Sequence, residues 1–290
     1  VVTGANTGLG YVSALAFARA GAQVVLAVRN TDKGALAAAR IKADYAAAQV
    51  RVERLDLADL ASVREFGAAE AQRGPLDVLM NNAGVMLVPD RELTVDGFEL
   101  HMGTNHLGHV ALTAQLLPAL AAAPAGRVVS LSSTAHRAAP RLDSNLNRTG
   151  KYSPSSAYGQ SKLATLLFGL ELNRRLSAAA SSVTSVVAHP GWSATELFDR
   201  GDKPGLAVAF ARKATAIFGS SATHGAQSQI QAALDLSVRG GTYLGPEFGV
   251  RGRPRPSSMN SAASDPISAQ WLWEVSNGLT GAEFDLLEAS

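Results

Sequence analysis

The chain of 290 residues contains no cysteine, which excludes disulfides, catalytic thiols and cysteine-built zinc sites together. No apolar run reaches the roughly 18 uncharged residues of a membrane span, and nothing at the start reads as a signal peptide. An excess of one charge is also missing. The 26 basic and 24 acidic residues leave a formal net charge of +2, too little to argue for nucleic acid as a partner. A cytoplasmic protein fits these absences. What is present is ordinary: 47% hydrophobic and 17% charged residues, ample for a core. No Pro/Ser-rich linker divides the chain, so one domain over residues 1–290 is expected. Val1-Val2-Thr3 reads as the second half of a strand, so more chain is expected ahead of it. Abundant alanine and a preference for arginine over lysine hint, by association only, at a GC-rich bacterial source.

Along the chain, short Val-rich runs alternate with helical patterns. The apolar positions of YVSALAFARAG recur at helical spacing and stop at Gly21, and AQVVLAVR follows as a buried strand. TDKGALAAARIKADYA predicts a helix with Thr31 or Asp32 as its N-cap. VRVERLDL, LDVLMNNAG, GRVVSLSS and SSVTSVVAHPG read as further strands. Helices are expected over ADLASVREFGAAEAQ, from about Leu93 to Ala123, and from Ser153 to about Ala179. This rhythm predicts βαβ units, a parallel sheet covered on both faces, and a Rossmann-like, doubly wound α/β fold. From 192 to 219 the pattern weakens, and the segment reads as a lid over the strands' carboxyl ends or as a plain surface insertion.

Two motifs carry chemistry. Thr3-Gly4-Ala5-Asn6-Thr7-Gly8-Leu9-Gly10 joins a strand to a helix, where glycines let the backbone approach a pyrophosphate held by the helix N-terminus. Its spacing is GxxxGxG rather than the usual GxGxxG. YGQSK places Tyr158 and Lys162 about one turn apart on one helix face. An ammonium beside a phenol favours the phenolate, which can make tyrosine a general acid-base. A solvated helix face would show the same pair. The second strand ends Ala27-Val28-Arg29-Asn30, with arginine where a carboxylate would select NAD. A guanidinium suits a 2′-phosphate, so NADP is favoured over NAD. His101, His106 and His109 read as packing or surface histidines rather than metal ligands, and Arg251, Arg253 and Arg255 as a solvated, proline-broken loop.

TGANTGLG, Asp56-Leu57, NNAG (81–84), Asn105, the serines of VVSLSS, YGQSK and HPG (189–191) together resemble the short-chain dehydrogenase/reductase family, in order and over nearly the whole chain. GTNHLGHVALT (103–113) and LWEVSNGLTG (272–281) are similar to its retinol dehydrogenase, WW-domain oxidoreductase and protochlorophyllide reductase group. That likeness also accounts for the histidines and for RLDSNLNRTGKYSPSS, an insertion before Tyr158 that most of the family lacks.

The resemblance implies the roles that follow. Tyr158 is the acid-base, Lys162 lowers its pKa and binds the nicotinamide ribose, Ser133 orients the substrate oxygen, and Asn105 holds a water leading from Lys162. Ser133 is chosen over Ser132 because the family's serine is usually the last of the pair; strand alternation lets only one of the two face Tyr158. Gly4, Asn6, Thr7, Gly8, Leu9 and Gly10 line the pyrophosphate side. Asp56 and Leu57 meet adenine, and Asn82, Ala83 and Gly84 lie by the ribose. Pro190, Gly191 and Thr195 border the nicotinamide. The expected protein is an NADP-dependent oxidoreductase moving hydride between nicotinamide and a small-molecule carbonyl or alcohol. Apolar residues in 192–219 suggest a hydrophobic substrate, or simply lid packing. Rival readings are an idle nucleotide-binding regulator and a reductase of a tetrapyrrole double bond. The helix from Ser153 is apolar on more sides than one buried face needs, which predicts a homo-oligomer.

Overall fold

Strand β1 (Val2–Thr3) sits at the middle of the sheet, hydrogen-bonded in parallel to β2 (Gln23–Val28) on one side and β4 (Val78–Asn81) on the other. This is a computed structural model, describing residues 1–191, 222–249 and 251–284. The remaining strands are β3 (Gln49–Arg54), β5 (Arg127–Leu131), β6 (Thr184–Ala188), β7 (Tyr243–Pro246) and β8 (Pro254–Pro256), in the order β3-β2-β1-β4-β5-β6-β7-β8. The chain runs outward from β1 to β3, then restarts at β4 on the other side. That reversal opens a crevice at the carboxyl ends of β1 and β4, where such sheets bind ligands.

Helices α1 (Gly8–Arg19), α2 (Thr31–Asp44) and α8 (Gln227–Leu234, after the short α7, Ala222–Gly225) cover one face of the sheet. The other face carries α3 (Leu60–Ala71), α5 (Gly108–Ala121) and α6 (Pro154–Ala178). The Rossmann-like α/β architecture is thus the one expected. Its central strands β1, β2, β4, β5 and β6 are largely buried on both sides and read as continuous apolar runs, whereas the edge strand β3 is half-exposed and alternates.

The structure differs from the sequence reading in four places. Asn30, not Thr31 or Asp32, caps α2, its Oδ1 accepting from Lys33 N–H at 2.9 Å. The helix expected from Leu93 begins only at α4 (Leu100–Met102), runs through a π-turn (Gly103–Leu107) and continues as α5. Ahead of it, Leu93 pairs with Glu99 around a tight turn in which Gly97 takes a φ of 81°. Asp96-Gly97 is the signal for that turn. Arg255 does not lie in a solvated loop but in β8, antiparallel to β7 and opposite Gly245. Prolines 254 and 256 suit an edge strand and block further pairing there. Finally, the apolar sides of α6 that predict a second copy are covered within one chain. Helix α9 (Pro266–Thr280) lies across α5 and α6, stacking Trp273 on Phe168 with ring centroids 5.8 Å apart. No helix among the described residues is long and apolar enough to cross a membrane.

Candidate active site

At the nucleotide end, β1 turns at Gly4, whose φ is 65° and whose N–H donates to Ala27 O at 2.8 Å. Asn6 is half-buried, Thr7 is the N-cap residue, and Gly8, Leu9 and Gly10 form the first turn of α1. Amides of a first turn lack intrahelical acceptors, so this end of α1 offers N–H groups to an anion. The turn is packed as closely as a backbone allows: a Cβ on Gly10 would sit 2.5 Å from both Gly4 O and Asn82 Nδ2. Thr3 locks the neighbouring strand end. Its Oγ1 accepts from the N–H groups of Asn82 and Ala83, both at 2.9 Å, while its hydroxyl lies 3.0 Å from His109 Nε2. The Asn82 side chain is committed to protein, donating to Thr3 O at 2.7 Å and accepting from Gln229 at 3.2 Å.

Asp56 accepts from Ala58 N–H at 3.0 Å, and Leu57 is buried beside it. Arg29 is exposed at the end of β2. Arg54, which the sequence reading passed over, stands opposite Val28 in the β2–β3 register and brings a second guanidinium to the same strand end.

The chemical end is built from side chains. Ser133 ends the segment after β5, its Oγ accepting from Ala135 N–H at 3.2 Å, and its hydroxyl faces the Tyr158 phenol closely enough to pull against that group's upward pKa shift. Ser132 faces the other way and donates to Lys162 O at 2.8 Å. Tyr158 and Lys162 are both buried on α6, with the Lys162 Nζ 5.8 Å from the phenol ring centre and donating to Leu131 O at 2.9 Å. A Cβ on Gly84 would lie 3.0 Å from Asn105 Oδ1 and 3.5 Å from Lys162 Nζ, so glycine is what lets this loop close over the pair.

Here one expectation is corrected. Tyr158 is not lowered: burial pushes its phenol up to about 12, opposed only by the hydrogen bond with Ser133. Lys162 is itself pushed down to about 8 by burial. A full charge about 6 Å away at an effective dielectric near 20 is worth ~3 kcal/mol. That only matches the cost of a two-unit shift, and the lysine's charge is opposed by the same burial. Desolvation wins.

Asn105 lies in the π-turn, a distortion common at functional sites. Its Oδ1 accepts from Val85 N–H at 2.7 Å, and its Nδ2 donates to Val85 O at 3.0 Å and Ser161 Oγ at 2.9 Å. Its main-chain oxygen receives His109 Nδ1 at 3.0 Å and the Thr165 hydroxyl at 3.2 Å. Asn105 is therefore a clamp between the β4 loop and α6. His109, read from sequence only as a packing or surface residue, and Thr165, unassigned there, complete it; their spacing of four from Asn105 and from Ser161 is the local signal. Across the site, Pro190 and Gly191 follow β6, with Gly191 N–H donating to His189 Nδ1 at 3.2 Å and His189 Nε2 lying 3.0 Å from Ser257 Oγ. Thr195 and the segment 192–219 lie outside the described residues. His101, His106 and His109 have separate partners: Glu99, Ser276 and Thr3. All three are packing residues and none is a surface one. Among the described residues no group of three or more His, Asp or Glu could hold a metal ion.

A close-packed glycine turn at a helix N-terminus, together with a Ser-Tyr-Lys set, is the arrangement of a dinucleotide-dependent dehydrogenase. Residues 1–203 match the short chain dehydrogenase family, and the chain belongs to it. It is an NAD(P)-dependent oxidoreductase acting on alcohol and carbonyl groups. The chain is 38% identical to mouse retinol dehydrogenase 12 over 288 residues, 98% of this chain and 87% of the relative. It is also 38% identical over 290 residues to mouse polyprenol dehydrogenase, 97% of this chain and 83% of that one. Among solved structures, an uncharacterised protein of Mycobacterium paratuberculosis superposes with a TM-score of 0.77 at 44% identity, over 97% of this chain and 92% of the other.

Proposed function

We propose that the chain interconverts a hydrophobic isoprenoid alcohol and its aldehyde with NADP(H), working chiefly as a carbonyl reductase near neutral pH. The observation that carries this is the Tyr158 phenol buried beside the Lys162 ammonium, with Ser133 facing it, at the carboxyl end of β5. The residues fit a dinucleotide, since the α1 N-terminus and its close-packed glycines leave main-chain donors for a pyrophosphate. Arg29 and Arg54 at adjoining strand ends suit a 2′-phosphate. When bound, the nicotinamide supplies or accepts the hydride.

The chain's own part is the proton. Ser133 and Tyr158 hold the carbonyl oxygen, and the Tyr158 hydroxyl gives its proton to that oxygen as the carbon is reduced. A phenol pushed up to about 12 stays protonated through neutral pH, the form from which it can donate, while the same shift makes it a weaker acid. Lys162 neutralises the phenolate left behind, and Asn105 keeps the β4 loop against it. Retinol and polyprenol, named in two relatives, are both primary allylic isoprenoid alcohols, which is what supports that substrate class. The test is NADPH consumption against all-trans-retinal, a long-chain prenal, a short aldehyde and a quinone. Turnover of only the last two would defeat the substrate proposal.

A further inference from the structure

Next to the reacting groups lies a buried carboxylate that the proton chemistry does not use. Glu99 and His101 are both fully buried. Glu99 Oε1 accepts from His101 Nδ1 at 2.7 Å and from the Tyr152 hydroxyl at 3.0 Å, and Oε2 accepts from Met102 N–H at 2.9 Å. A buried charge persists only when satisfied in this way. His101 Nε2 accepts from Val88 N–H at 3.3 Å, which leaves the ring proton on Nδ1. The ring also meets Tyr158 edge-on, with centroids 6.1 Å apart and planes at 61°.

The same cluster anchors the insertion over residues 141–156. Tyr152 lies two residues before Pro154, the first residue of α6. Asn147 Oδ1 accepts from Glu99 N–H at 3.0 Å, and Asn147 O accepts from Arg91 Nε at 2.8 Å. One carboxylate therefore ties together the insertion, the start of the helix that bears Tyr158, and, through His101, the loop after β4.

We infer that Glu99, His101 and Tyr152 form a positioning brace that sets the Tyr158 ring and the β4 loop for reaction, making the insertion a working wall of the site. The inference rests on the reading of Tyr158 as the acid-base. His101 does not touch reacting atoms. It acts on Tyr158 through the ring edge and on Val88 through a hydrogen bond. Displacement of a catalytic group by about 1 Å can cost on the order of 10² in rate, and removal of the brace permits a displacement of that kind.

The experiment compares His101→Phe, His101→Asn and Tyr152→Phe in NADPH oxidation with all-trans-retinal, alongside hydrogen exchange over residues 85–92 and 141–153. For His101→Phe, which keeps a ring and loses both hydrogen bonds, kcat falls roughly ten- to a hundredfold while NADPH affinity stays within about twofold of wild type. Asparagine keeps a donor for Glu99 but loses the ring edge against Tyr158 and the acceptor for Val88, so its kcat falls at least as far as that of His101→Phe. Tyr152→Phe, at a half-buried site that tolerates the change, gives a smaller fall in kcat and faster exchange in both segments. Unchanged kcat in folded His101→Phe and Tyr152→Phe overturns the inference, as does a parallel loss of kcat and NADPH affinity, or near wild-type kcat in His101→Asn. Should His101→Phe not fold, Tyr152→Phe decides alone. If the wild type reduces no carbonyl in the panel, the proposed reaction fails. The exchange arm then still judges the brace, and unaltered exchange over 141–153 in His101→Phe sinks it.

Discussion

The β1–α3 region and the α4–α6 region both line the crevice, yet they are made of different material. Around the α1 N-terminus the working groups are main-chain amides and glycines, and the side chains of Thr3 and Asn82 are spent holding backbone in place. Between α4 and α6 the groups proposed to work are side chains buried with their partners: Glu99, His101, Asn105, Tyr158 and Lys162. The difference follows from the tasks. An anion that must bind and leave is served by fixed dipoles at a helix end. Proton transfer depends on where the surroundings set each pKa, and here burial pushes the Tyr158 phenol up and the Lys162 ammonium down.

The sharpest break between the two regions is Tyr158→Phe. It removes the proton donor and leaves the nucleotide turn intact, so kcat on an accepted aldehyde should fall by about 10²–10⁴, with NADPH affinity by fluorescence titration unchanged. Retention of more than about a tenth of kcat on a substrate limited by chemistry would return Tyr158 and Lys162 to a passive helix face. The converse break is Arg29→Asp. A hydrogen bond to a charged group is worth about 1.5–3 kcal/mol, so the ratio of NADPH to NADH affinity should drop roughly ten- to a hundredfold, with kcat at saturating cofactor preserved. Equal wild-type affinity for both nucleotides would rule out the role of Arg29. Gly10→Ala is the milder backbone test. Its Cβ would strike Gly4 O and Asn82. Overpacking costs about 1–3 kcal/mol, which should appear as weaker NADPH binding and a lower melting temperature, with the Tyr158 chemistry unaltered.

The same contrast explains what the sequence reveals. Main-chain sites are local, so TGANTGLG and NNAG read directly as turns at strand ends, and YGQSK reads as one helix face. Strand alternation lets only one of Ser132 and Ser133 face Tyr158, and the two serines do face apart; that it is Ser133 comes from the family resemblance alone. Side-chain sites depend on partners far along the chain. Glu99 finds Tyr152, and Asn105 finds Val85 and Ser161, and no spacing announces those pairings. The direction of the Tyr158 shift was misjudged for a related reason: four residues of helix suggest a Lys–Tyr interaction but do not reveal how deeply both are buried. Strand β8 was hidden by its prolines, which argue against a strand everywhere except at an edge. The Asp96-Gly97 turn, by contrast, was legible and was overridden by helical periodicity.

The smallest expected effect concerns Lys162 and stability. Burial pushes its folded-state pKa down to about 8 from 10.5. Below both values the lysine is protonated folded or unfolded, and the fold bears the full cost of a buried charge. Between about 8 and 10.5 the unfolded chain holds the proton and the folded one has released it, so stability rises with pH. The slope from one such group is at most about 1.4 kcal/mol per pH unit. Tyr158 works in the opposite sense above pH 10, where the unfolded phenol ionises and the folded one, held near 12, does not. Lys162→Met removes only the first contribution. Urea denaturation at pH 7.5, 8.5 and 9.5 should therefore show wild-type stability gaining on Lys162→Met step by step, while below pH 8 the variant is the more favoured of the two. A constant difference across that range would mean that Lys162 keeps its charge in the folded chain, and that the phenol beside it is tuned by that charge after all.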